Sequence, residues 1–425
     1  MPVRPAFEDR LTPELPAIAE HFGTPFHIYD EAGIVATVQR LLAAFEGVPF
    51  REYFAVKALP NPAILRLLHG HGLGFDCSSI AELELVRRAG AEGDEIFFTS
   101  NNTTREEFAL ALALGAIVNV DDVGLLDKLP APPRLLSFRF NPGAEGVGDL
   151  HIGAPLEAKF GLRHDQLVDA VAAARELGVE RFGLHAMVAS NVLEVEPLLA
   201  TLTALLELCA ELHEAVGVEV ELVNAGGGLG IPYRPEEAEL DLEGFARGAA
   251  DLLAGYRSRH RRAAPALSLE AGRYVTGPHG VLVTRVINRM SKWRDYVGVD
   301  AGQSALMRPA LYGAYHHLTL VGDAGERPLE TVDVVGALCE NSDKFARQRE
   351  LPRLDEGDLV MIHDTGAHGH SMGFTYNGRL RPQELLLRRD GSVELIRRAE
   401  EVERDHFATL TYEPDVLPAR ERVAP

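Results

Sequence analysis

The stretch Tyr53-Phe54-Ala55-Val56-Lys57-Ala58-Leu59-Pro60-Asn61 reads as a short apolar strand stopped at a single lysine. Pro60 and Pro62 break it, and Ile64-Leu65-Arg66-Leu67-Leu68 then opens a helix. A lysine at the end of a buried strand is costly unless its charge is paired or lost. Low polarity lowers an amine pKa and frees the nucleophile, so one use of such a lysine is a Schiff base. Taken alone, Lys57 reads more readily as a lysine snorkelling to the surface at a strand end.

Outward from Lys57, short strand-like runs alternate with helical ones. The strand candidates are Phe26–Tyr29, Glu52–Val56, Leu73–Asp76, Glu95–Phe98, Ala116–Asn119, Leu135–Arg139, Gly183–Val188, Val220–Asn224 and Ala266–Glu270. Between them lie helix signals. Ser79-Ile80-Ala81-Glu82 and Thr104-Arg105-Glu106-Glu107 are capping boxes, Gly90 stops the first helix, and Leu198, Leu202, Leu205, Cys209 and Leu212 share one face after Pro197. About eight such repeats over ~245 residues predict an α/β fold with a closed (β/α)8 barrel, ahead of a doubly wound sheet. After about residue 281 the helical period fades. Val281–Ile287, Tyr296–Val299, Glu330–Val335, Asp358–Ile362 and Val393–Ile396 read as strands. The expected domains are a barrel over 26–280 and a β-rich domain over 281–425, joined by residues 1–25.

The 425 residues carry a formal charge of −21, which argues against nucleic acid or an anionic membrane as partner. Three scattered cysteines make neither a disulfide framework nor a zinc site and suit a reducing cytoplasm. The start lacks an apolar signal core, and the run Phe108–Val120 is too short to span a bilayer. No known metal-ligand spacing occurs, so His316, His317, His363, Asp364, His368 and His370 read as surface or phosphate-side residues and no metal is expected. Trp293 reads as core or interface. Lys159 lacks the apolar lead-in of Lys57.

In such a barrel the active site lies at the C-terminal strand ends. Lys57, Asp76, Asn101, Asn102, Arg139, Asn141, His185, Ser190, Gly226-Gly227-Gly228 and Glu270 all fall at or just past expected strand ends. The glycine run has neither the P-loop lysine nor dinucleotide spacing, and suits a single monophosphate. Lysine, monophosphate and strand-end carboxylate together suggest pyridoxal 5′-phosphate (PLP). A glutamate beside the pyridine nitrogen keeps it protonated, and the ring is then a strong electron sink, which favours decarboxylation.

On these stretches the chain resembles the fold-type III PLP-dependent decarboxylases, the diaminopimelate decarboxylases most of all. The matching segments are 54–58, 74–82, Lys159-Phe160-Gly161, 224–233, Glu270-Ala271-Gly272-Arg273, 308–312, Cys339-Glu340-Asn341-Ser342-Asp343, Gly366-Ala367-His368, Tyr376-Asn377 and Arg381-Pro382. The resemblance implies that Lys57 carries PLP and that Gly226, Gly227, Gly228, Ser190 and Arg273 line its phosphate. Glu270 would pair with the ring nitrogen, and Asp76 and His185 would lie beside the cofactor. Cys339 would protonate the carbanion across a homodimer interface. Arg273, Arg308, Tyr312 and Glu340 would hold the far end of an amino-acid substrate, and Tyr376 would close the site. The implied reaction is decarboxylation of meso-2,6-diaminopimelate to L-lysine and CO2. The alternatives are a decarboxylase of ornithine, lysine or arginine, an alanine-racemase-like enzyme, which Glu270 argues against, and a non-enzymatic PLP carrier or regulatory homologue. Two positions depart from the family. Met187 stands where a histidine stacks on the ring, and His368 stands where Gly-Ala-Tyr has its tyrosine, with an imidazole that can also donate to phosphate.

Overall fold

The computed structural model describes residues 5–143, 156–187, 189–411 and 413. Strand β1 (Phe26–Asp30) precedes a closed parallel barrel of β2 (Phe50–Ala55), β3 (Gly74–Cys77), β4 (Ile96–Thr99), β5 (Ile117–Val120), β6 (Leu136–Phe140), β7 (Phe182–Ala186), β8 (Val220–Asn224) and β9 (Ala266–Leu269). β9 closes on β2 with Phe50 opposite Leu267 and Glu52 opposite Leu269. Alternation along each strand sorts the core. Tyr53, Phe97, Ile117, Leu135 and Leu222 form one small cluster. Their neighbours Phe54, Phe75, Phe98, Phe138, Leu184 and Val223 join the larger cluster shared with the surrounding helices. Each fully buried Phe or Leu contributes about 1.5–3 kcal/mol, so this larger layer holds most of the barrel's stability.

The second unit is a nine-stranded, mostly antiparallel sheet. It comprises β1, β10 (Gly280–Ser291), β11 (Asp295–Val299), β12 (Leu318–Leu320), β13 (Leu329–Val335), β14 (Lys344–Pro352), β15 (Leu359–Ile362), β16 (Gln383–Leu387) and β17 (Val393–Arg397). Phe7, Leu11, Leu15 and Ile18 of the N-terminal helices pack with Val281, Val283, Leu359 and Leu385 of this sheet.

Several sequence expectations change here. Phe26–Tyr29 is not a barrel strand: β1 lies in the second sheet, antiparallel to β10 and parallel to β16. All its residues are buried, so its pattern does not differ from that of a parallel barrel strand. β12, β14 and β16 match none of the expected strands. Arg347, Gln348, Arg349 and Glu350 make β14 read as polar, yet it pairs along the length of β13. Val188, assigned to a strand, lies outside the described residues. The Thr104–Glu107 box forms in both directions, whereas Glu82 turns its carboxylate to the Ser78 N–H instead of Ser79. Trp293 is not core; it is fully exposed, between β10 and β11. His316, His363, Asp364 and His370 are buried rather than at the surface. His363 Nε2 meets Thr319 Oγ1 at 2.7 Å and His370 Nε2 meets Pro382 O at 2.9 Å. Among the described residues no group of three or more His, Cys, Asp or Glu is placed to hold a metal ion, and no helix is long and apolar enough to cross a membrane.

Candidate active site

β2 ends at Ala55, and Lys57 sits in the single turn Val56–Ala58 that follows. The second sheet's side of the molecule fixes this turn. The His368 N–H donates to Ala58 O at 2.8 Å, Asn61 Nδ2 donates to Glu384 Oε2 at 3.0 Å, and Arg397 Nη2 donates to Pro60 O at 2.9 Å. Lys57 faces a cavity of about 530 Å3 lined by residues at the C-terminal ends of the barrel strands. Its Nζ donates to Asp76 Oδ2, at the end of β3, at 2.8 Å. The Lys57 side chain is half exposed to this cavity; the surrounding protein opposes its charge, but the attraction of Asp76 and Glu270 outweighs that and holds the ammonium above the ordinary lysine range. This corrects the expectation of a depressed amine pKa, because two carboxylates face the lysine instead of an apolar wall.

Glu270 follows β9. Its Oε1 accepts from Asn224 Nδ2 at 2.8 Å, and its N–H donates to Gly226 O at 2.8 Å. His185 Nε2, from β7, lies 3.3 Å from the same Oε1 without the alignment of a hydrogen bond. Burial pushes the Glu270 carboxyl up, but His185, Lys57 and Arg139 outweigh it and hold it well below the usual carboxylate range. At Asp76, burial and the Glu270 charge prevail over Lys57 and raise the carboxyl. The two acids therefore share the local positive charge unequally.

Next to Glu270 lies the glycine turn. A Cβ on Gly227 would stand 2.6 Å from Glu270 O, and one on Gly228 2.9 Å from Ala189 O, so only glycine fits. Gly227 and Gly228 line the cavity, with Gly226 one residue behind. Arg273 also lines the cavity: Nη2 donates to Ser190 Oγ at 3.2 Å and Nη1 to Tyr233 Oη at 2.6 Å. Met187 Sδ accepts the Gly227 N–H at 3.1 Å, so the thioether lies against the glycine turn at the cavity wall.

Arg308, Tyr312 and His368 complete the wall from outside the barrel strands. Arg308 is buried, with Nη1 2.9 Å from His316 Nε2, Nε without a partner, and its guanidinium 4.7 Å from the centre of the Tyr233 ring. Cys339, Glu340 and Tyr376 are exposed and do not line this cavity. They belong to one surface region, where the Cys339 N–H donates to Asn377 Oδ1 at 2.8 Å. Lys159 lies over the Phe160 ring, off the cavity lining. Sequence reasoning missed Tyr233, the aromatic face shared by Arg273 and Arg308, although it closes the quoted glycine segment. Arg139, noticed only as a strand-end residue, lines the cavity and ion-pairs with Asp121 at 3.5 Å.

These groups fit pyridoxal phosphate. Its carbonyl requires an amine, its ring nitrogen a carboxylate and its phosphate several N–H donors. Lys57 and Glu270 supply the first two; the Gly226 and Gly227 N–H groups already donate to Asn224 Oδ1 and Met187 Sδ, so the phosphate would rest on the Gly228 end of the turn with Arg273 and Ser190. Asp76 Oδ1 and His185 Nδ1 are buried without partners, so the cavity keeps polar capacity that a polar ligand would satisfy.

Comparison with known proteins agrees with this chemistry. Residues 31–277 match the family described as pyridoxal-dependent decarboxylase, pyridoxal binding domain. The chain is 49% identical to protein TabA of Pseudomonas amygdali pv. tabaci, over 97% of each chain. It is 38% identical to the diaminopimelate decarboxylase of Methanothermobacter thermautotrophicus, over 95% of this chain and 94% of that one. The crystal structure of the M. jannaschii diaminopimelate decarboxylase in co-complex with L-lysine superposes with a TM-score of 0.85 at 31% identity, covering 95% of this chain and 94% of that one. The barrel, the second sheet, the lysine-bearing cavity and these relatives together show that the chain belongs to the pyridoxal-dependent decarboxylase family, whose cofactor is pyridoxal phosphate.

Proposed function

We propose that the protein decarboxylates meso-2,6-diaminopimelate to L-lysine and CO2, the last step of lysine biosynthesis. One observation carries the substrate choice. Arg308 is 3% exposed at the cavity wall, and among the described residues no carboxylate lies within ion-pair distance of it; the buried Asp364 acts on it only from farther off, its carboxyl raised by burial. A buried guanidinium without an anion is costly, so the site is built for a ligand that brings a carboxylate besides the one it loses. Diaminopimelate does so; ornithine and lysine do not. The relatives named diaminopimelate decarboxylase support the same reading.

When bound, pyridoxal phosphate supplies a carbonyl that captures the substrate amine and a conjugated ring that withdraws electrons from the breaking bond. The chain's residues do the rest. Lys57 Nζ reaches the cavity to hold the cofactor, and Asp76 Oδ2 is placed to take its proton. Glu270, held ionised and oriented by Asn224, would pair with the ring nitrogen. Gly228, Ser190 and Arg273 bind the phosphate, with His368 at the same wall. Arg308 and Tyr312 receive the distal carboxylate. Cys339 would supply a proton to the reacting carbon, with Glu340 and Tyr376 in the same surface region. Since these three lie outside the cavity of their own chain, a second copy brings them in, and the working unit is a homodimer. Three free thiols support a cytoplasmic setting.

The higher identity to protein TabA than to the diaminopimelate decarboxylases favours a second reading, a related decarboxylase of another amino acid. A substrate panel with CO2 detection separates the two. Fast release from meso-diaminopimelate supports the first; release from another amino acid with diaminopimelate inert overturns it.

A further inference from the structure

Glu52 is a buried acid that this mechanism does not use. It lies on β2, five residues before Lys57, and is 1% exposed. The alternation of β2 puts it on the same side as Phe54, which packs in the barrel–helix core. There Glu52 Oε1 accepts the Ala271 N–H at 2.5 Å, and Oε2 has no partner. Ala271 is the residue after Glu270. The turn between them is tight: the Gly272 N–H donates to Glu270 O at 2.9 Å, and a Cβ on Gly272 would meet Ala58 Cβ at 2.8 Å. Glu52 thus grips the corner that aims the Glu270 carboxylate and packs against the Lys57 turn.

We propose that Glu52 is a positioning residue for Glu270, acting through the Ala271 N–H. The inference rests on the reading of Glu270 as the partner of the ring nitrogen. The charge environment gives the contact a pH dependence. Burial pushes the Glu52 carboxyl up; the Ala271 N–H opposes this and the charges of Glu270 and Asp76 add to it, to a value of about 8. Lys57 compensates Asp76 and Glu270, and His185 and Arg139 further offset Glu270. At neutral pH Glu52 therefore keeps its proton, and the corner holds one acceptor without adding a charge beneath the site. Above about pH 8 it ionises, adding a negative charge close to Glu270 and Asp76.

Two variants test this in the holoenzyme. Glu52→Gln keeps a carbonyl oxygen for the Ala271 N–H and cannot ionise. It should retain kcat and PLP affinity within about twofold at pH 7, and the pH titration of the cofactor's absorbance should lose a step near 8 that the parent shows. Glu52→Leu removes the acceptor. It should lower kcat roughly tenfold and weaken PLP binding, read by spectrophotometric titration of the apoenzyme, on the scale of one buried hydrogen bond. A Leu variant with the parent's kcat and PLP affinity, or a Gln variant that keeps the step near 8, overturns the proposal. Glu270→Gln serves as the control. If it turns over normally, the reading of Glu270 fails; if it is impaired while Glu52→Leu is not, only the present inference fails.

Discussion

Lys57 Nζ stands 2.8 Å from Asp76 Oδ2, so the reactive amine rests in this structure as one half of an ion pair. Its charge is stabilised by a buried acid that itself lacks a partner for its second oxygen. An amine held in this way attacks a carbonyl only after giving up a proton, and Asp76 is the group within reach. Borohydride reduction of the holoenzyme followed by peptide mapping should place the pyridoxyl group on Lys57. Lys57→Ala should carry no reduced cofactor and show no turnover. A pyridoxyl group on another lysine of the active parent would remove Lys57 from its role.

The turn that carries Lys57 depends on Glu384, which lies on β16 of the second sheet. This carboxylate accepts from Tyr29 Oη at 2.6 Å and from Asn61 Nδ2 at 3.0 Å, and it pairs with Arg397. Burial pushes Glu384 up, but His370 and Arg397 outweigh it and bring it from the ordinary 4.5 down to about 2. A depressed carboxyl contributes stability that is present above its ordinary pKa and lost as pH falls through the folded value. Glu384→Gln should therefore cost about 3 kcal/mol at pH 7, the scale of a carboxyl held that far below its ordinary range, because it removes the buried charge that Arg397 pairs with and that Tyr29 and Asn61 donate to. The gap between parent and variant should close between about pH 4.5 and 2. Urea unfolding at pH 7 and pH 3 measures it, and a gap that does not shrink in acid would assign the effect to packing.

Cys339 and Glu340 are exposed while the cavity they are expected to serve is walled by other residues. Either a second copy brings them in or they serve nothing at this site. Mixing inactive Lys57→Ala chains with inactive Cys339→Ala chains should restore activity. With free exchange, half of the dimers are mixed and each holds one intact site, so recovery should approach about a quarter of the parent. No recovery after subunit exchange has been shown would place both residues in one chain's site.

How far these features can be read from the chain depends on what each residue's neighbours reveal. Lys57 is legible because an apolar strand and two prolines frame it, and Glu270 because Gly272 and Arg273 follow it. The glycine turn is legible because three consecutive glycines serve few purposes beyond close backbone approach. Glu52 is not: a glutamate in Phe50-Arg51-Glu52-Tyr53 reads as a solvent-facing strand residue, and only the Ala271 N–H from the far end of the barrel explains its burial. Phe26–Asp30 is ambiguous for a different reason. A strand buried on both faces looks alike in a parallel barrel and at the centre of a mixed sheet. The amine pKa at Lys57 was misread because Asp76 and Glu270, 19 and 213 residues away in sequence, meet it only in the fold.

Arg308 provides the sharpest test of the substrate. Its guanidinium is buried among Tyr233, His316 and Arg273, and burial and the Arg273 charge outweigh the help of the Tyr233 ring and hold it below the usual arginine range. A cation kept under such conditions gains most from an anion, and the substrate's distal carboxylate is the anion that the proposed reaction brings. Arg308→Met keeps much of the side-chain volume and removes the charge. It should cost ~2–4 kcal/mol of kcat/KM toward meso-diaminopimelate, because the bound carboxylate is then desolvated and unpaired. PLP binding should be unchanged, since Arg273 and the glycine turn hold the phosphate. The parent should consume L-lysine and L-ornithine far more slowly than diaminopimelate, and the variant should lose that preference. Equal turnover of L-ornithine by the parent, or a kcat/KM for diaminopimelate untouched by Arg308→Met, would leave the decarboxylase chemistry standing and take diaminopimelate away as its substrate.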